Sequence, residues 1–139
     1  DRPVVQIFRD PVDRFSSAVS FLHYLKACSV QEVIDDLVNE TNIVAKKAKK
    51  LDLTQFIAPV YRNIHFRKQD QYIGVAQDII YFRFNDQLKD AAKLLDIEKE
   101  LHNNNPSNKT EKPTLTKSQI AQIQDFYAMD MQKWESLQD

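Results

Sequence analysis

The sequence predicts a helix-rich α/β fold, and three observations carry that expectation. Two short runs, Val4-Val5-Gln6-Ile7-Phe8 and Asp78-Ile79-Ile80-Tyr81-Phe82-Arg83-Phe84, are rich in β-branched and aromatic residues and too short for core helices. Each passes at once into an amphipathic helical pattern, the alternation that puts helices against a sheet. Elsewhere the apolar residues recur at helical spacing, so helix outweighs strand. At 139 residues and 42% hydrophobic content the chain has one domain's worth of core.

The elements follow in order. Val4–Phe8 reads as a buried strand. Asp10 is a good N-cap and Pro11 suits the first helical position, so a helix is expected from about Pro11 to Cys28. Phe15, Ala18, Leu22 and Leu25 form its core stripe, while Asp10, Arg14 and Ser17 project from another face. Ser29-Val30-Gln31-Glu32 is a capping box and opens a second helix to about Glu40, with Val33, Ile34 and Leu37 inward. A basic knot of Lys46, Lys47, Lys49 and Lys50 follows; it reads as a solvated helix face or as a local attraction for an acidic glycan.

From Thr54 to Gln71 the pattern is irregular and Pro59 breaks any helix, as in a functional or connecting loop. The second strand comes next, then a helix from about Asn85 or Asp86 to Asp96 with Leu88, Ala91, Ala92 and Leu95 inward. Residues 102–114, with four asparagines and two prolines, read as a surface loop. The capping box Thr116-Lys117-Ser118-Gln119 then opens one long final helix over residues 115–138, its stripe traced by Ile120, Ile123, Tyr127, Met131 and Trp134.

Composition excludes several functions. Average glycine usage of roughly 7% would place about ten in such a chain, yet Gly74 stands alone. That rules out a G-x-G-x-x-G dinucleotide loop and a G-x-x-x-x-G-K-[ST] phosphate loop within these residues. With 19 basic and 20 acidic residues there is no global field to recruit nucleic acid, so binding must be local. Cys28 has no internal disulfide partner, and Cys28, His23, His65 and His102 lack metal-ligand spacing, so no metal site is expected. No stretch approaches the roughly 20 apolar residues of a membrane span.

The strongest local signal is Ile7-Phe8-Arg9-Asp10-Pro11-Val12-Asp13-Arg14-Phe15-Ser16-Ser17. In open α/β sheets ligands collect beyond the carboxyl ends of strands, where Arg9 sits before a helix N-terminus that favours an anion. The Arg9 guanidinium and the Ser17 hydroxyl could grip a phosphate without any glycine. The alternative is that Arg9 pairs with Asp13 and Ser17 merely tolerates a helix interior.

Arg9-Asp10-Pro11-x-x-Arg14-x-x-Ser17 resembles the 3′-phosphate motif of the PAPS-dependent sulfotransferases, particularly the carbohydrate sulfotransferase branch. Three later segments resemble that branch in the same order. His65-Phe66-Arg67-Lys68-Gln69 is similar to its H-x-x-P-Q segment, with Lys68 in place of Pro. Asp78 to Asn85 resembles its D-x-[IV]-x-x-[FY]-E strand, with Asn85 replacing Glu, and Leu115-Thr116 through Tyr127-Ala128-Met129-Asp130 resembles its closing L-T-x…Y-x-x-D helix.

The resemblance implies a P-loop-type parallel sheet with flanking helices, incomplete here, and PAPS or its product PAP as cofactor. It implies Arg9 and Ser17 as the 3′-phosphate ligands, with Arg14 beside them, and sulfate transfer to a hydroxyl acceptor of the carbohydrate class. His65 is the residue left for acceptor binding or proton transfer, its ordinary alternative being a surface or packing histidine. The family's Lys- and Gly-containing loop for the 5′-phosphosulfate precedes the strand that begins this chain. The 139 residues are therefore expected to form a single, partial domain, either a piece of a longer one or a relative that has lost the loop. Two other readings stay open: a non-catalytic helical binding module, and a nucleotide-binding relative without transfer activity. A cytoplasmic bacterial or viral setting is expected, with a secretory lumen as the alternative. There the sequons Asn39-Glu40-Thr41 and Asn108-Lys109-Thr110 would gain meaning. Acceptor identity and oligomeric state are not legible.

Overall fold

A computed structural model describes residues 4–51, 59–69, 79–83 and 112–137. Within them the chain is helix-rich α/β. Strand β1 is Val4–Phe8 and strand β2 is Ile79–Arg83; they pair in parallel, Val4 opposite Ile79 through Phe8 opposite Arg83. Parallel pairing requires a crossover rather than a hairpin, and helices α1 (Pro11–Phe21), α2 (Val30–Asn39) and α3 (Ile43–Lys50) lie within that crossover. Helices α4 (Lys117–Phe126) and α5 (Ala128–Ser136) follow β2. The helix expected from Asn85 or Asp86 to Asp96, and all but the last three residues of the 102–114 loop, lie outside the described residues.

The caps form as their residues dictate. The Asp10 side chain accepts from the Val12 amide at 3.1 Å with Pro11 at the first helical position. Both capping boxes close: Ser29 with Glu32 at 3.2 and 3.0 Å, and Thr116 with Gln119 at 3.1 and 3.0 Å. Helix α3 is capped from a distance. Asn42 at its start makes no side-chain cap bond, whereas buried Asp36 on α2 accepts from the Ile43 and Val44 amides at 3.1 and 2.7 Å and from the Thr41 hydroxyl at 2.5 Å.

Two helices differ from expectation. Helix α1 stops at Phe21 rather than near Cys28, because the chain turns left-handed at His23 (φ 57°) and continues as a short 3₁₀ turn, Tyr24–Lys26. Leu25 thereby leaves the core stripe and is 42% exposed. The final helix is two. Tyr127 adopts φ −99° and ψ 37°, and its hydroxyl donates 2.5 Å to the Phe66 carbonyl, drawing the ring inward. The Tyr127 N–H still donates to the Ile123 carbonyl and the Met131 N–H to the Tyr127 carbonyl, at 3.0 and 2.8 Å, so the second helix starts directly from the end of the first.

One core joins the helices: Phe15 and Val19 of α1, Val33, Ile34 and Leu37 of α2, Val44 and Ala48 of α3, Val60, Phe66, and Ile123 and Tyr127 of the last pair. Phe15 meets Phe66 edge to face at 5.5 Å, tying α1 to the 3₁₀ turn Ile64–Phe66. That contact sets where the irregular segment enters the molecule. Among the described residues no helix is long and apolar enough to cross a membrane.

Candidate functional site

The candidate site is built where β1 ends. Phe8 is buried in the sheet and the next residue, Arg9, sits between the strand and the capped start of α1. Its side chain folds back along the first two turns of α1. There Nη2 donates 2.8 Å to Ser17 Oγ, and Nε donates 2.9 Å to Asp13 Oδ2. Ser17 is only 5% exposed, so its hydroxyl is aimed inward at the guanidinium. The two candidate phosphate ligands are thus brought together, and the ion pair with Asp13 forms as well.

Asp13 is held between two cations, with Lys112 Nζ at 3.3 Å from its other oxygen. Partial burial pushes the Asp13 carboxyl up, but the Arg9 guanidinium and the Lys112 ammonium outweigh it and hold the carboxyl below its ordinary range. Asp10 behaves oppositely: burial pushes its carboxyl up more than the Val12 amide and Arg9 lower it.

The main chain of Arg9 is fixed by Gln69, which is 4% exposed. The Gln69 amide accepts from the Arg9 N–H at 3.0 Å and donates to the Arg9 carbonyl at 2.8 Å, as a neighbouring strand would. Gln69 is itself held: its backbone N–H donates 2.7 Å to buried Asp130 on α5, and its carbonyl accepts from Gln6 Nε2 at 3.3 Å. A line of hydrogen bonds therefore runs from Asp130 through Gln69 to Arg9 and Ser17. Asp130 thereby caps the segment that carries Gln69.

Arg14 is directed elsewhere. Its guanidinium donates to the carbonyls of Arg67 and Ile64 at 2.5 and 3.2 Å and clamps the 3₁₀ turn that carries His65. His65 lies exposed on that turn, its ring tilted against Phe21 with centroids 5.1 Å apart. The partial shielding of its ring from water and the nearby Arg14 charge lower its pKa, so the imidazole is neutral near pH 7 and can accept a proton. Lys68, at the position where the resembled segment has Pro, lies over the Phe126 ring at 4.7 Å. Asn85 falls outside the described residues. Gln69 and Asp130 are the residues whose roles spacing did not reveal; their place in the quoted segments is the only sequence signal that marks them.

No family model, no curated protein and no solved structure matches this chain. Chemically, the assembled site offers one guanidinium, one buried hydroxyl and a helix start, a set suited to a single phosphate group, with one carboxylate that such a group would have to displace from Arg9.

Proposed function

We propose that this chain is a sulfotransferase-like domain that holds the 3′-phosphate of PAPS or PAP on Arg9 and Ser17 and serves sulfate transfer to a hydroxyl acceptor, of the carbohydrate class. The observation that carries the reading is the convergence of Arg9 Nη2 on Ser17 Oγ at 2.8 Å at the carboxyl end of a parallel strand. Its support is the line of contacts joining the other quoted segments to that point: Gln69 to the Arg9 main chain, Asp130 to Gln69, and Tyr127 to Phe66. A P-loop-type sheet is part of the same proposal.

PAPS held there would supply the sulfuryl group: the acceptor oxygen would bond to sulfur as the bond from sulfur to the 5′-phosphate oxygen breaks, with PAP as the leaving group. The acceptor proton goes to a base, and His65, neutral near pH 7, is the residue assigned to it. Arg9 and Ser17 position the nucleotide and take no part in bond making. Grip on the 5′-phosphosulfate is assigned to no residue of this chain.

A second reading, a helical binding module without a nucleotide, is favoured by one observation: Asp13 already satisfies the Arg9 guanidinium at 2.9 Å. Isothermal calorimetry with PAP separates the two. Binding to the folded chain that is lost in Arg9→Ala and weakened in Ser17→Ala supports the first; no heat from a folded sample supports the second. PAP binding without sulfate turnover would leave a nucleotide-binding relative.

A further inference from the structure

We infer that the outer face of α3 is a docking surface for an anionic lipid bilayer. The inference is independent of the site at Arg9. The inner face of α3 is committed to the core through Val44, Ala45 and Ala48. At about 100° per residue, Lys49, Lys46, Lys50, Ile43, Lys47 and then Leu51 follow one another around the opposite face. All six are exposed, Ile43 at 43% and Leu51 at 56%. Helix α3 carries no acidic residue. From neighbouring α2, Glu32 pairs with Lys47, and among the described residues no ion pair involves Lys46, Lys49 or Lys50.

The interleaving decides the occupant. A soluble polyanion such as a sulfated glycan or a nucleic acid would use the lysines but gain nothing from Ile43 and Leu51. A bilayer with anionic headgroups uses both, because lysines meet the surface charge while aliphatic side chains enter the acyl boundary. The chain's net charge of −1 does not oppose this, since the attraction acts only over about a Debye length, roughly 8 Å at physiological salt.

The test is co-sedimentation with phosphatidylcholine vesicles, with and without about 30 mol% phosphatidylserine. The chain is expected to sediment with the anionic vesicles only, and less as salt rises. Lys46→Gln/Lys49→Gln/Lys50→Gln should lose affinity on the order of 100-fold, about fivefold per lysine, and Ile43→Ser/Leu51→Ser on the order of 10-fold, with helical circular dichroism retained. Three results overturn the proposal: no sedimentation of the folded wild-type chain with anionic vesicles, binding indifferent to salt, or unchanged binding in Ile43→Ser/Leu51→Ser. The last would mark a face for soluble polyanions instead.

Discussion

Replacing Gln69 by Ala removes the two hydrogen bonds that hold the main chain of Arg9, at 3.0 and 2.8 Å, and leaves both Arg9 backbone groups without that amide. Each lost bond is worth about 0.5–1.5 kcal/mol net, so the loss should be roughly 1–3 kcal/mol. With a urea m-value of about 2 kcal/mol/M for a chain of this size, the unfolding midpoint should fall by about 0.5–1.5 M. Gln69→Glu keeps an acceptor for the Arg9 N–H but sets a carboxylate oxygen against the Arg9 carbonyl. It should therefore be no better tolerated than Ala. The assay is urea denaturation followed by far-ultraviolet circular dichroism. A loss below about 1 kcal/mol in Gln69→Ala, or a fully stable Gln69→Glu, would refute the assignment of Gln69 as the tie that fixes Arg9.

Asp36→Ala should destabilise by about 2–4 kcal/mol, since it orphans the first amides of α3 within the core; hydrogen exchange should show Val44 losing protection before the α4 amides. Glu40 ends α2 in a left-handed conformation, φ 55°, so Glu40→Gly should stabilise by about 0.5–1 kcal/mol in thermal denaturation. For His65 the folded pKa is depressed by burial and by Arg14. The unfolded chain therefore takes up this proton first as pH falls. The group's contribution to stability is full above the ordinary value of about 6.5 and declines as pH drops through it towards the folded value. His65→Asn should flatten the stability profile below about pH 6.5, and NMR titration should place the His65 midpoint below that ordinary value.

Legibility in the sequence followed the range of the interactions. The caps at Asp10, Ser29 and Thr116 are set by bonds within three residues, and all three form as read. The pairing of Arg9 with Ser17 spans eight residues across a strand-to-helix junction, still close enough for spacing to bring them together. What escaped depends on distant partners. The helix break at Tyr127 falls where its hydroxyl reaches a carbonyl 61 residues away, and Gln69 reaches an Arg9 main chain 60 residues away. Asp36 caps α3 from eight residues before Val44, outside any local capping pattern. Arg14 shares a helix with Ser17, yet its partners Ile64 and Arg67 lie on another segment, so its direction could not be read from α1 alone. The early end of α1 has a local cause in retrospect, because histidine tolerates the left-handed conformation better than most side chains, but nothing in the apolar stripe required it there.

In the proposed function, Arg9 and Ser17 form a site for one phosphate group, the 3′-phosphate of an adenine nucleotide. Calorimetry comparing PAP with adenosine 5′-monophosphate tests it most directly, since the two differ by that group alone. A charge-assisted contact of about 1.5–3 kcal/mol predicts that PAP binds on the order of 10- to 100-fold more tightly, and that Arg9→Ala erases the difference. Equal affinity for the two nucleotides, or a preference for PAP that survives in Arg9→Ala, would contradict it.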